Sequence, residues 1–227
     1  SSAFDATLAY ENERDGFRVG ADYHSGSNLR VGVFAGRNFD DVNYAPGSSM
    51  NSDSSQFGAY GSLNDESGLF IDAIVSAGTF DVDTRRRIAF STIDRAAFAD
   101  IEGFQFNAAV SVGRDFKFGD FTFGPHAGLE LSQVEIDGFV ESGADSLNLG
   151  LDDQKVRQFY SDIGMHLNYR MELSKSLTLV PELRVSLNTQ LTDSGRVIQA
   201  GLEGGEGAAF GYVPGGRDRY GVSTSLG

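Results

Sequence analysis

Three histidines, His24, His126 and His166, are the only imidazoles in the sequence, and imidazole is the commonest general base of enzymes. Two of them lie among ionisable residues at even spacing: His126 with Glu130, Asp162 with His166 and Arg170, and Glu182 with Arg184. Brought together on neighbouring strands, these seven residues could move protons. They could equally form a structural polar network lining a pore, and the residues favour the network. No nucleophile elbow, zinc-binding His-Glu-x-x-His or phosphate-binding glycine loop is present. We therefore assign no catalytic, cofactor-binding or metal-binding residue. Arg85-Arg86-Arg87 reads as a solvated basic loop segment that could also meet lipopolysaccharide phosphates. The acid pairs Asp40-Asp41 and Asp152-Asp153 could hold a divalent cation, but neither has the spacing of a calcium loop.

The elements that must position these groups are strands. Phe121, Phe123, Pro125, Ala127, Leu129 and Leu131 alternate with Thr122, Gly124, His126, Gly128 and Glu130. Side chains of a strand point to opposite faces with a period of two, so one face is apolar and the other polar. The same pattern runs through 104–113, 159–171 and 177–188, where Asp162, His166, Arg170, Glu182 and Arg184 all take the polar parity. Each run has about the nine to eleven residues that a tilted strand needs to cross a bilayer.

The alternation predicts about ten strands, near 3–11, 16–24, 29–42, 55–63, 69–82, 103–114, 120–136, 157–171, 177–191 and 218–227. Short connections at 25–28, 64–68, 115–119 and 174–176 rotate with long ones at 43–54, 83–102, 137–156 and 192–217. In bacterial outer-membrane barrels the short turns are periplasmic and the long loops extracellular, so strand one should run outward. A soluble barrel with its apolar face inward is the structural alternative. Charges at mid-strand favour the membrane form, because an arginine in the lipid would cost about 2–4 kcal/mol and Arg170 and Arg184 have the inward parity.

Composition narrows the class further. No apolar run reaches the roughly 18 residues of a membrane-spanning helix. A net charge of −14 argues against a nucleic-acid partner, which needs clustered Lys and Arg. With no cysteine there is no disulfide framework and no thiol metal site, as suits an exported protein. No targeting segment is visible at Ser1, which reads as a processed or excised start.

Val134-Glu135-Ile136-Asp137-Gly138-Phe139, Leu151-Asp152-Asp153-Gln154-Lys155, Leu179-Val180-Pro181-Glu182-Leu183 and the stretch from Phe210 through Gly227 resemble the translocator β-barrel of an autotransporter, a type V secretion protein. The Asp-Gly-aromatic and Asp-Asp-Gln-Lys segments are most similar to barrels that anchor GDSL-type esterases and lipases. The resemblance implies an all-β, transmembrane antiparallel barrel with about ten of twelve strands present, so that residues 1–227 form a translocator domain expected to be cut at both ends. It implies an outer-membrane anchor that exports an N-terminal passenger, with the passenger's linker helix threaded through the lumen. Implied partners are that passenger and linker, outer-membrane lipids and lipopolysaccharide, and the barrel-assembly machinery. The domain would act as a monomer without cofactors, any esterase activity residing in the passenger. The alternative is a self-sufficient porin or surface hydrolase.

Overall fold

The computed structural model describes residues 10–26, 28–44, 47–174, 177–192, 198–202, 209–212 and 220–226. Five long strands open the chain: β1 Tyr10–Ser25, β2 Leu29–Tyr44, β3 Ser48–Asn64, β4 Leu69–Phe90 and β5 Ile93–Arg114. They are followed by β6 Phe116–Phe118, β7 Phe121–Ile136, β8 Phe139–Val140, β9 Leu149–Leu151, β10 Gln154–Tyr169 and β11 Met171–Ser174. The last are β12 Leu177–Leu179, β13 Glu182–Gln190, β14 Ile198–Leu202, β15 Ala209–Tyr212 and β16 Tyr220–Leu226. The principal sheet runs β1-β2-β3-β4-β5-β7-β10-β13-β16, with β6 pairing β7 off the path. Every pair in it is antiparallel. Among the described residues, no helix is long and apolar enough to cross a membrane.

Among the described residues nine strands carry the path where the sequence predicts ten. The strand expected at 3–11 lies mostly outside the described residues, and its Tyr10 and Glu11 belong to β1. The turn expected between 11 and 16 is absent, because β1 stays in register with β2 from Tyr10↔Tyr44 to Ser25↔Leu29. An Arg14–Asp40 ion pair joins the two strands across that stretch. β1 consequently runs toward the end of the sheet that carries the short turns.

Two expected long loops are also corrected. Strand pairing consumes most of 43–54, leaving 45–47 as the β2–β3 connection. It likewise consumes 83–102, where β4 and β5 pair without a break from Leu69↔Arg114 to Phe90↔Ile93 around a tight turn at Ser91-Thr92. The short turns at 26–28 and 65–68 fall as expected. At the latter, Asp65 Oδ1 accepts from the Ser67 hydroxyl at 2.7 Å and the Leu69 amide at 2.9 Å, which holds its carboxyl below the usual range. The Gly68 φ of +85° is one that a side chain rarely adopts.

Among the described residues, long excursions persist only after β7 and β13. Parts of them pair into a small sheet of order β15-β14-β9-β8, with one 3₁₀ turn at Asp145–Leu147.

Burial separates the two faces in the sense opposite to that of a water-soluble protein. The polar side chains Ser76, His166 and Ser186 are buried, whereas Val110, Leu129, Ile163, Met165, Leu187 and Val222 are exposed. Cross-strand partners share a face, and the register places Val112, Ala127 and Ile163 in one row and Gly113, His126 and Gly164 in the next. The apolar row faces outward and the polar row packs inward. A soluble barrel would turn these rows the other way.

Candidate functional site

On the polar face of β7, β10 and β13 the structure brings His126, Asp162 and His166 together. Register does the positioning: His126 pairs with Gly164, Asp162 with Gly128, His166 with Gly124, and Gly164 and His166 pair onward with Ser186 and Arg184. Each large side chain thus lies across from a glycine. A Cβ on Gly124 would run into the His166 ring, and one on Gly128 would meet the Asp162 carboxylate. The glycines are seats without which these side chains could not lie flat against the sheet.

His126 Nε2 lies 3.4 Å from Asp162 Oδ2 and 3.3 Å from Ser186 Oγ. His166 Nε2 lies 3.0 Å from Asp115 Oδ1, its ring 6.4 Å from that of His126 and 6.0 Å from Phe70. Serine and aspartate meet the same imidazole nitrogen. In a Ser-His-Asp relay the nucleophile and the orienting acid occupy opposite ring nitrogens, so this set is not arranged as one. Its contacts do tie β7, β10 and β13 to Asp115, in the link from β5 to β6.

The other expected site residues are more loosely placed. Glu130 shares the polar face and, with Arg30, Tyr60, Asp72, Ile74 and Asp162, lines a cavity of about 470 Å³. Arg184 Nη2 lies 3.2 Å from Glu182 Oε1, both partly exposed. Arg170 falls in the break between β10 and β11, largely exposed and 3.8 Å from Glu172. His24, on β1, lies 3.4 Å from Asp22. Asp115, Ser186 and the glycine seats were missed from the sequence, although the Gly-x-His-x-Gly spacing at 124–128 carries the signal of a ring between two small neighbours.

Among the described residues, no group of three or more His, Asp and Glu is arranged to hold a metal ion. Asp40 and Asp41 are adjacent in β2 and therefore point to opposite faces. Asp153 Oδ1 is engaged by the Gly138 amide at 2.7 Å.

Beyond the apolar stretch of β4 the three arginines take separate roles, in a strand and not in the expected loop. Arg85 is exposed. Arg86, on the polar face, donates to both carboxylate oxygens of buried Glu141 at 2.9 and 2.5 Å, which raises its pKa. Arg87, on the outward face, donates to Asp94 at 2.9 and 2.8 Å.

Two carboxyls of this projecting hairpin shift in opposite directions. A hydrogen bond with Asp100 raises Asp83, and bonding from Arg87 lowers Asp94. The raised Asp83 carboxyl favours the hairpin at low pH, an advantage lost as pH rises through its folded value. The lowered Asp94 carboxyl favours it at neutral pH, an advantage lost as pH falls through its folded value. Amide protection across β4 and β5, taken relative to the intrinsic exchange rate at each pH, should therefore rise near Asp83 on mild acidification and fall near Asp94 at lower pH. Asp83→Asn should abolish the first change and spare the second.

Residues 3–227 match the autotransporter β-domain family. The chain belongs to that family. It is 23% identical over 199 residues to the probable autotransporter YpjA of Escherichia coli K12, covering 85% of this chain and only 12% of that protein. Among solved structures it resembles the translocator domain of the autotransporter NalP from Neisseria meningitidis, with a TM-score of 0.65 and 16% identity over 98% of this chain and 80% of that one. It also resembles the β-domain of the Bordetella autotransporter BrkA, with a TM-score of 0.60 and 18% identity over 96% and 90%. At such identities these structures speak for the fold, an outer-membrane β-barrel. Family and fold together make this autotransporter β-domain an outer-membrane translocator that exports a passenger.

Proposed function

We propose that this β-domain displays an N-terminal passenger on the cell surface, with the passenger's linker held in a lumen lined by His126, Glu130, Asp162, His166, Glu182 and Arg184. In this reading residues 1–227 act as one monomeric barrel. The work is mechanical: the polar face supplies hydrogen-bond partners to a linker, and the apolar face keeps the barrel in lipid. The inverted burial carries the proposal, because Ser76, His166 and Ser186 are buried on one face and Val110, Ile163 and Leu187 exposed on the other, as a polar channel inside an apolar shell requires. The barrel itself is not catalytic, in keeping with a His126 whose serine and aspartate share one nitrogen. Lipopolysaccharide and the barrel-assembly machinery are its envelope partners. The end bearing Ser91-Thr92 and the small sheet faces outward, and the turns at 26–28 and 65–68 face the periplasm.

An epitope inserted between Ser91 and Thr92 of the full-length protein should be reached by antibody on intact cells, and one inserted at Gly26 only after the outer membrane is opened. The reverse labelling overturns the orientation. Deleting residues 10–226 should leave the passenger inside the cell envelope, and passenger display without them would count against export through this barrel.

A further inference from the structure

The loop after β7 is built against the inner side of the β4–β5 hairpin by a set of contacts that barrel formation does not require. β7 ends where Ile136 pairs with Gly103, so residues 93–102 of β5 continue past it with an uncovered edge. The loop folds back along that edge. Asp137 N donates to Glu102 O at 3.0 Å, and Phe98 and Ser142 exchange backbone bonds of 2.9 and 2.8 Å.

From there it turns onto the polar face. Glu141 is buried and accepts from Arg86 Nε, Arg86 Nη2 and the Leu149 amide, while Arg86 Nη2 also donates to Leu147 O at 3.0 Å. Arg95 Nη1 donates to Ala144 O at 2.9 Å, and Asn148 Oδ1 accepts from the Ala144 amide at 2.8 Å. Ala144 is wholly buried, and Ala97 nearly so. Arg86 and Ala97 are register partners on the face that also carries His126, and Arg95 shares that parity, so the side-chain bonds to Glu141 and Ala144 form on the channel side. Its β9 then pairs with β14 of the neighbouring excursion.

We propose that residues 137–153 form a cap over one side of the outer mouth, latched by the Arg86–Glu141 pair. The inference rests on the translocator reading, since a cap matters only where there is a channel to close. The attachment is of a kind that can open. Its core is small, with alanines in place of large apolar side chains, and beyond the backbone bonds to Phe98 and Glu102 and the Arg95 bond to Ala144 it is held by one bidentate pair, whose loss leaves the surviving charge without its partner. A polypeptide leaving the pore would push the loop off Arg86, and an empty mouth would let it settle back.

Full-length protein carrying Arg86→Ala or Glu141→Ala, reconstituted in planar bilayers, tests this. Both variants should raise the open fraction of the channel about tenfold and make the loop cleavable by chymotrypsin at Phe139 or Leu147. The swap Arg86→Glu with Glu141→Arg should return both readings toward the parent, and the heat-dependent gel shift of folded barrels shows that each variant has assembled. Cleavage with unchanged conductance would overturn the cap, because the loop would be free without affecting the pore. Resistance to chymotrypsin in both single variants would overturn the latch. Passenger display in cells making the same proteins reports on export separately: a parent that conducts and gates but displays nothing would remove the translocator reading and leave the cap standing.

Discussion

Val110→Arg should be among the most damaging single substitutions in the barrel, whereas Ser111→Arg, one residue along the same strand, should be tolerated. Val110 lies across from Ala73 and Leu129 on the outward face, in the middle of the apolar stretch of β5, and is exposed. In lipid, that exposure places an arginine where water cannot solvate it, at a cost of about 2–4 kcal/mol near the midplane. Ser111 points to the other face, toward Asp72 and the cavity that Asp72 and Glu130 line. An arginine there meets carboxylates and water. Reversible unfolding of the two variants in lipid vesicles measures the difference directly. A loss of stability for Val110→Arg no larger than for Ser111→Arg would mean that the apolar face does not meet lipid, and the burial argument for the membrane orientation would go with it.

How much of this was legible in the sequence depends on where each strand lies relative to the bilayer. Within the membrane, lipid on one side and polar space on the other enforce alternation, and the expected runs at 29–42, 69–82, 120–136 and 177–191 match β2, part of β4, β7 and the β12–β13 segment closely. Beyond the membrane both faces of a strand meet water. Asp81 through Arg87 and Asp94 through Glu102 then offer no apolar period, and charge-rich sequence reads as loop although Arg86 and Arg87 take opposite faces. Asn12-Glu13-Arg14-Asp15-Gly16 misled for the same reason: its turn-like composition is overridden by continuous pairing with β2. The Arg86–Glu141 latch joins residues 55 positions apart and leaves no local trace. In the candidate site, parity put His126, Asp162 and His166 on one face, but only register could show that Asp115 and Ser186 meet them. Parity also grouped Arg170 with them, whereas the break between β10 and β11 leaves it among exposed residues.

The glycine seats yield the second large effect. Gly124→Val should destabilise the barrel by about 1–3 kcal/mol, the usual cost of forcing extra methyl groups into a filled space, because its Cβ alone would occupy the position of the His166 imidazole and press on Asp115. Gly221→Val makes the control, since a Cβ there meets nothing within 4 Å. His166→Ala should cost stability in the parent by opening the space beneath Gly124 and removing the contact with Asp115. In the Gly124→Val background the same change should restore stability, since it removes the obstructing ring. The two substitutions should therefore couple with opposite sign to their separate effects, by at least about 1 kcal/mol, as expected for residues in direct contact. Simple additivity in the double-mutant cycle would show that Gly124 and His166 do not share that space, and the seat would be no explanation for how the polar face holds its histidines.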